Sequence, residues 1–467
     1  MAIRKERDSL GEVEVPEQAY YGAQTTRALS NFPISGLKPH PTLVWGTLVV
    51  KKAAATANIR TGRLLSALGE PIVAAADDFL SGRLPGEHFV VDPFQAGAGT
   101  SHNMNVNEVL ANRAEEILGN RRGEYLKVHP NDHVNMAQST NDVFPTSMRL
   151  ASLRMAAEVR EALEGLRNSL RRKGKEFDAI LKSGRTHLQD AVPMRLGQEF
   201  EAYAVMIERE VAALEHARHG LLDLGIGGTA IGTGLNAQAA YIDFVVEEIA
   251  RETGFPVRRA ANLVETTQNM APFVGLSSAL KSTAVCLAKI AADLRLLASG
   301  PRTGLNEINL PALQPGSSIM PGKVNPVMTE VLTMVSYQVM GADTTVTVAA
   351  QAGQLELNVM MPVIAYNLLF PMEILKNVIG RFTTLCIDGI TANEDRCRSY
   401  METSLGLVTV LAPYIGYMAA ADVAKESAAT GTSIRDVVLQ RGLLTDHELS
   451  AVLEPYQLTS PGVPGKR

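Results

Sequence analysis

A mainly α-helical protein, organised around a central bundle of long helices, is the fold class that this sequence predicts. Three observations lead there. Apolar residues recur at steps of three and four over long segments, the spacing of one helix face. Three of those segments carry few charges on any face, unlike a helix at a water boundary. Hydrophobic side chains make up 46% of the chain and charged ones 20%, an ordinary globular balance.

Taken in chain order, the part before about Asn135 mixes short helical patterns with loops. Phe94 to Thr100 reads FQAGAGT and Asn103 to Asn107 reads NMNVN; both compositions favour turns and close backbone approach over a regular element. The helical period becomes clear at 148–170, through Leu153, Ala156, Val159, Leu163, Leu166 and Leu170. Phe200, Tyr203, Ile207, Val211, Leu214 and Leu221 continue it in a second segment. Segments at about 272–298, 325–350 and 358–384 are the apolar ones. Helices of this kind are expected to be buried on all sides in a bundle, with other subunits covering part of the surface that one chain leaves. Pro362 and Pro371 fall inside a helical pattern, so a kink is expected near them. Beyond Asn393, shorter and more charged amphipathic segments suggest helices at 433–441 and 446–453, the second capped by Thr445. The tail at 459–467 is rich in Pro and Gly and expected to be mobile. The predicted division is an N-terminal mixed helical domain at 1–138, a central helical bundle at 139–393 and a small C-terminal helical domain at 394–467; 467 residues exceed one compact domain.

Composition removes several functions. With 44 basic and 49 acidic side chains the net charge is −5, which gives no reason to expect a nucleic acid or an anionic membrane as partner. Cys286, Cys386 and Cys397 form no disulfide framework and no metal spacing. The charged N-terminus has no apolar run behind it, and uncharged stretches such as 357–372 contain Asn and Pro and fall short of a membrane span. A cytoplasmic protein is expected.

Four stretches cluster polar side chains where neighbouring sequence is apolar: Gly97–Ser101; His129–Asp132 followed by Gln138–Asp142; Gly184–Asp190; and Gly316–Pro326. The last combines two Gly, two Ser and two Pro ahead of a long helical segment, with Lys323 and Asn325 at its end. Hydroxyls, a lysine and free helix amides together suit a carboxylate ligand, although a solvated linker would have the same composition. Ser139-Thr140-Asn141 precedes a helix and could simply cap it, but capping uses only one of its hydroxyls. His187 beside Thr186 is weak alone, and His129 before Pro130 suits a turn. The glycines at 225–234 follow a helical pattern and lack GK[ST], so a turn with close helix packing explains them better than a phosphate loop. No HExxH or comparable spacing supports a metal centre.

On these residues, GSSIMPGKVNP at 316–326 resembles the signature loop of the fumarase/aspartase superfamily, and the similarity runs from ERDSLGEVEVP at 6–16 over nearly the whole chain. QAGAGTS at 95–101, QSTND at 138–142, THLQDAVPM at 186–194, GLNEINLPALQPGSS and GQLELNVM resemble the aspartase branch more than the class II fumarases. Two positions depart from that branch: Met361 stands in NVMMPV where an acid is usual, and Ala412 replaces the Asn of Leu-Asn-Pro.

The resemblance implies a three-domain fold whose long-helix bundle forms the core of a homotetramer, with active sites shared between three subunits. It implies an ammonia-lyase that converts L-aspartate reversibly to fumarate and ammonia without an organic cofactor, through an enediolate intermediate. Ser317 would be the general base. Thr100, Ser139, Thr140 and Ser318 would hold the β-carboxylate. Thr186, Lys323 and Asn325 would hold the α-carboxylate, and Asn141 and His187 the departing amino group. A class II fumarase and a non-catalytic scaffold are the alternatives.

Overall fold

The computed structural model describes residues 2–464. It falls into two compact units, each drawn from three stretches of chain.

The first unit comprises residues up to Glu161, Ala212–Ala284 and Val335–Lys376. It opens with an antiparallel hairpin, β1 (Ile3–Asp8) and β2 (Gly11–Pro16), which the reading of the N-terminal part as helical patterns and loops did not contain. Helices α1 (Ala23–Asn31), α2 (Pro41–Arg60), α3 (Ser66–Leu80) and α4 (Thr100–Ile117) follow. His40 caps α2 by accepting the Thr42 amide, and Pro41 sits in the first turn, where its missing N–H costs nothing. Their apolar faces meet in a core that includes Leu48, Ile72, Phe79, Val106 and Leu110.

The NMNVN stretch is not a turn but the middle of α4. Asparagine disfavours helix because its amide competes for the backbone. Here the amides are engaged elsewhere: Asn105 accepts from the Val90 amide at 2.9 Å and donates to the His88 carbonyl at 3.0 Å. Tertiary hydrogen bonds have overridden local propensity.

Five long helices match the predicted segments to within a few residues or extend them: α5 (Thr140–Glu176), α6 (Leu196–His219), α9 (Ala271–Leu297), α10 (Val327–Gln351) and α11 (Met361–Leu385). Between them lie α7 (Ala239–Thr253) and α8 (Leu263–Gln268). Within one chain the burial is incomplete, as expected if other subunits cover part of the surface. Val285 on α9 and Met334, Tyr337 and Val348 on α10 are 54%, 67%, 64% and 55% exposed. Sequence reports how apolar a face is, not which chain covers it. By length and composition alone Ala271–Leu297 and Met361–Gly389 are long and apolar enough to cross a membrane, a test that the core helix of a globular protein also passes; half of each is buried inside this chain. Pro362 occupies the first turn of α11 and demands no kink, whereas Pro371 is interior.

The second unit comprises Ala162–Val211, Val285–Met334 and the chain from Asn377 onward. It holds the hairpin β3 (Leu181–Thr186) and β4 (Gln189–Arg195), and the C-terminal helices α12 (Glu394–Thr403), α13 (Leu407–Ile415), α14 (Tyr417–Thr430), α15 (Ile434–Gln440) and α16 (Asp446–Val452). Leu411, Val423, Ile434, Val437 and Leu449 form their core. Ser433 caps α15, and Thr445 caps α16 as the sequence predicted, with Glu448 completing a capping box that the sequence reading did not name. Of the tail expected to be mobile, residues 465–467 lie outside the described residues.

Candidate active site

In the first unit the predicted residues gather around the N-terminal ends of α4 and α5. Thr100 is the first residue of α4, entered through Ala98 at φ 61° and Gly99 at φ 86°. At Gly99 a Cβ would collide with the Phe144 ring, so glycine is needed for space as well as for φ. Ser139 precedes α5, and Thr140 and Asn141 are its first two residues. The positive end of the helix dipole therefore lies at this cluster and favours an anion.

Cap and ligand site are not alternatives for these residues. Ser139 Oγ accepts from the Asn141 amide at 3.2 Å, and Thr140 Oγ1 accepts from Asn103 Nδ2 at 3.1 Å. A hydroxyl has one proton and two lone pairs, so each remains able to donate outward. Asn141 Nδ2 donates to the Ala230 carbonyl at 2.8 Å, which leaves its Oδ1 as an acceptor suited to an ammonium group.

The residue that organises this arrangement is Lys51, on α2, which the sequence reading missed. It is fully buried and donates to Asn135 Oδ1 and Gln138 Oε1, both at 2.9 Å. Asn103 and Asn107 also donate to Asn135 Oδ1, at 3.3 Å. One amide oxygen thus collects three donors, and Asn103 passes that polarity on to Thr140. Burial pushes the Lys51 ammonium down to about 7 against the pull of Asp142. Burial likewise pushes the neighbouring His102 down to about 4, helped by Lys51. Neutral His102 bonds Thr47 Oγ1 through Nε2 at 2.9 Å.

Asp142 anchors the start of α5. Its carboxylate accepts from the amides of Ser139, Gly227 and Thr229 at 2.9, 3.0 and 2.9 Å. Burial nevertheless pushes it up to about 6, the amide bonds and Lys51 acting the other way. The glycine-rich stretch at 225–234 therefore does bind an anion, the chain's own. Close packing, as predicted, explains Gly232: it has φ 92°, and a Cβ there would strike the backbone of α8 at Val264.

In the second unit, residues 310–326 form a long loop without regular structure before α10. Its neck is pinned where the Gly316 amide donates to the Lys323 carbonyl at 2.8 Å and Asn325 Nδ2 donates to the Gly316 carbonyl at 2.7 Å. A Cβ at Gly316 would collide with that backbone. Ser317 Oγ accepts from the amides of Ile319 and Met320 at 3.2 and 3.0 Å. Two N–H donors on one hydroxyl oxygen favour its alkoxide. Ser318 and Lys323 are exposed, and Lys323 forms no ion pair among the described residues. Thr186 and His187 lie at the exposed tip of the β3–β4 hairpin. His129 accepts from the amides of Asn131 and Asp132, the turn role its proline suggested. A cavity of 620 Å³ in this unit, lined by Leu181, Arg398, Met401 and Arg435 among others, contains none of the candidate residues.

Comparison with known proteins identifies the family. The family model described as Lyase matches residues 11–341, and that described as Fumarase C C-terminus matches 407–460. An aspartate ammonia-lyase from a Bacillus species is 50% identical over 465 residues, covering 100% of this chain and 99% of the relative. The crystal structure of a fumarate lyase:delta crystallin from Brucella melitensis bound to cobalt superposes with a TM-score of 0.95 at 49% identity, covering 98% of this chain and 100% of the other. A recombinant class II fumarase from Schistosoma mansoni gives 0.92 at 38% identity, covering 97% and 98%. With both family models matched and identity sustained from end to end, this chain belongs to the fumarase/aspartase superfamily of lyases.

Proposed function

We propose that this chain is a carbon–nitrogen lyase that converts L-aspartate reversibly to fumarate and ammonia. The observation that carries the reading is the 50% identity to an aspartate ammonia-lyase across 100% of this chain, against 38% to the class II fumarase.

The proton beside the β-carboxylate is very weakly acidic, and its removal leaves a carboxylate carrying two negative charges. Donors fixed in advance around that group stabilise it without reorganising, and such fixed dipoles commonly contribute more to catalysis than any other effect. Ser139 and Thr140, with oxygens already occupied by internal N–H groups and protons free, have that character; Thr100 and Ser318 complete the set. Ser317 takes the proton, its oxygen held by the Ile319 and Met320 amides. Lys323, Asn325 and Thr186 bind the α-carboxylate. Asn141 Oδ1 and His187 receive the amino group, which leaves as ammonia once the Cα–N bond breaks. Closure of the 316–325 loop would exclude water and complete the site.

We further infer a homotetramer with active sites shared between three subunits. The exposed Met334, Tyr337 and Val348 on α10 support a covered face in the assembly. Three free, buried cysteines suit a reducing, cytoplasmic setting. No organic cofactor or metal enters this scheme.

The test is the ultraviolet absorbance of fumarate, with purified protein given L-aspartate or L-malate and with Ser317→Ala as control. Fumarate from aspartate alone, reduced about a thousandfold or more by the substitution, is expected. Fumarate from malate instead would make the chain a fumarase, and no product from either would favour a scaffold.

A further inference from the structure

Thr186 and His187 are carried by a turn that does not hold itself. The two loop residues of the β3–β4 hairpin, His187 and Leu188, both take positive φ, 56° and 58°. Tight hairpins need that conformation, and Asn-Gly or Gly-Gly adopts it readily. A histidine and a leucine do not, so the surroundings must fix them. The tip offers little: residues 186–190 are exposed, and Leu188 is 70% so.

The support lies one step down the strand. Lys182 and Arg185 are three residues apart on β3 and would face opposite sides of a regular strand. The register breaks between Ser183 and Arg185, and the irregularity brings both side chains to one carboxylate. Glu307, fully buried, pairs with Lys182 at 2.8 Å and with Arg185 at 2.7 Å. Its own backbone is held on two sides: the amide donates to the Leu297 carbonyl at 2.9 Å, and the carbonyl accepts from the Asn393 amide at 2.9 Å. Lys182 also pairs with Glu199 at 2.8 Å, and Arg185 lies over the Tyr400 ring at 5.5 Å.

Buried ion pairs are a weak source of stability, because desolvation offsets most of their attraction. What this one supplies is register. A slip of one residue would turn Thr186 and His187 to the opposite face of the hairpin. A carboxylate gripping residues on both sides of the bulge forbids that slip.

We propose that Glu307 is a positioning residue for Thr186 and His187: by clamping Lys182 and Arg185 across the bulge it fixes the face and angle at which the strained turn presents those two side chains. The proposal rests on the reading of Thr186 and His187 as substrate contacts. Glu307 touches no substrate itself.

The test is a double-mutant cycle on the purified enzyme, using Glu307→Gln, which keeps size and removes charge, with His187→Ala, and following kcat/KM for L-aspartate. Glu307→Gln is expected to lower it about a hundredfold, the cost of a small misplacement at the reacting group. In that background His187→Ala should cost less than about threefold more, since a misplaced side chain has little left to lose. Full additivity, or wild-type kinetics in Glu307→Gln, overturns the proposal, because a purely structural role would not make the two losses overlap. If Glu307→Gln does not fold, Arg185→Gln removes one arm of the clamp and enters the same cycle. Wild-type kinetics in both His187→Ala and Thr186→Val would sink the reading of the site itself, independently of how Glu307→Gln behaves.

Discussion

The two groups of candidate residues are built on opposite principles. Around Ser139 and Thr140, polarity is set from inside: buried Lys51 feeds Asn135, the amides of α4 converge on the same oxygen, and Asp142 ties the helix start to a glycine-rich turn. Around Ser317 almost nothing is buried; Ile319 is 83% exposed and the loop is held only at its neck. On the proposed reading, charge stabilisation, the stationary part of the chemistry, sits on helix ends and a packed core, and the part that admits substrate and moves a proton sits on a loop. Preorganisation is costly in polar burial, and it is concentrated where a fixed dipole is needed.

Thr140→Val tests the internal side most severely. It keeps shape and removes one preset donor, and should lower kcat by about a hundredfold to a thousandfold with little change in KM. An effect confined to KM in steady-state kinetics would mean that Thr140 binds ground state and transition state alike, and the contrast would lose its basis.

Lys51→Met comes next. Because the folded-state pKa of Lys51, about 7, lies below the ordinary 10.5, its contribution to stability is present above about 10.5 and lost as pH falls through about 7. Between pH 7 and 9 wild type should therefore gain about 2 to 3 kcal/mol relative to Lys51→Met. Urea unfolding at several pH values reads this; parallel curves for the two proteins would contradict it.

The smallest effect belongs to the loop. Ile319→Ser should change stability by less than about 0.5 kcal/mol, as expected of an exposed site. Trypsin should cut after Lys323 early in a digest and more slowly with L-aspartate present. A large drop in unfolding midpoint for Ile319→Ser would show the loop to be packed rather than open.

The sequence made one side of this contrast far more legible than the other. The 316–326 loop announces itself through Gly, Ser, Pro and Lys in succession, and the long helices through their period, because both signals are local. Ser139-Thr140-Asn141 was visible, yet whether it caps or binds depended on which lone pair Asn103 and the Asn141 amide occupy. Lys51 was not visible at all. It stands in α2 beside the half-buried Lys52, which pairs with Asp77 and Glu252, and nothing in Val-Val-Lys-Lys-Ala tells which lysine turns inward. The asparagines of α4 misled for the same reason: their partners are remote in sequence, and only the fold supplies them.

The turn at 225–234 carries a consequence beyond its packing. Its amides form a concave cradle of the kind that takes up phosphates in other proteins, and Asp142 already fills part of it. A carboxylate tethered to the same chain acts at an effective concentration that can reach millimolar or more, which dilute anions in solution do not match. Salt and phosphate should therefore leave this turn untouched. The start of α5, with Ser139, Thr140 and Asn141 upon it, is latched by the molecule's own side chain rather than by an anion from solution.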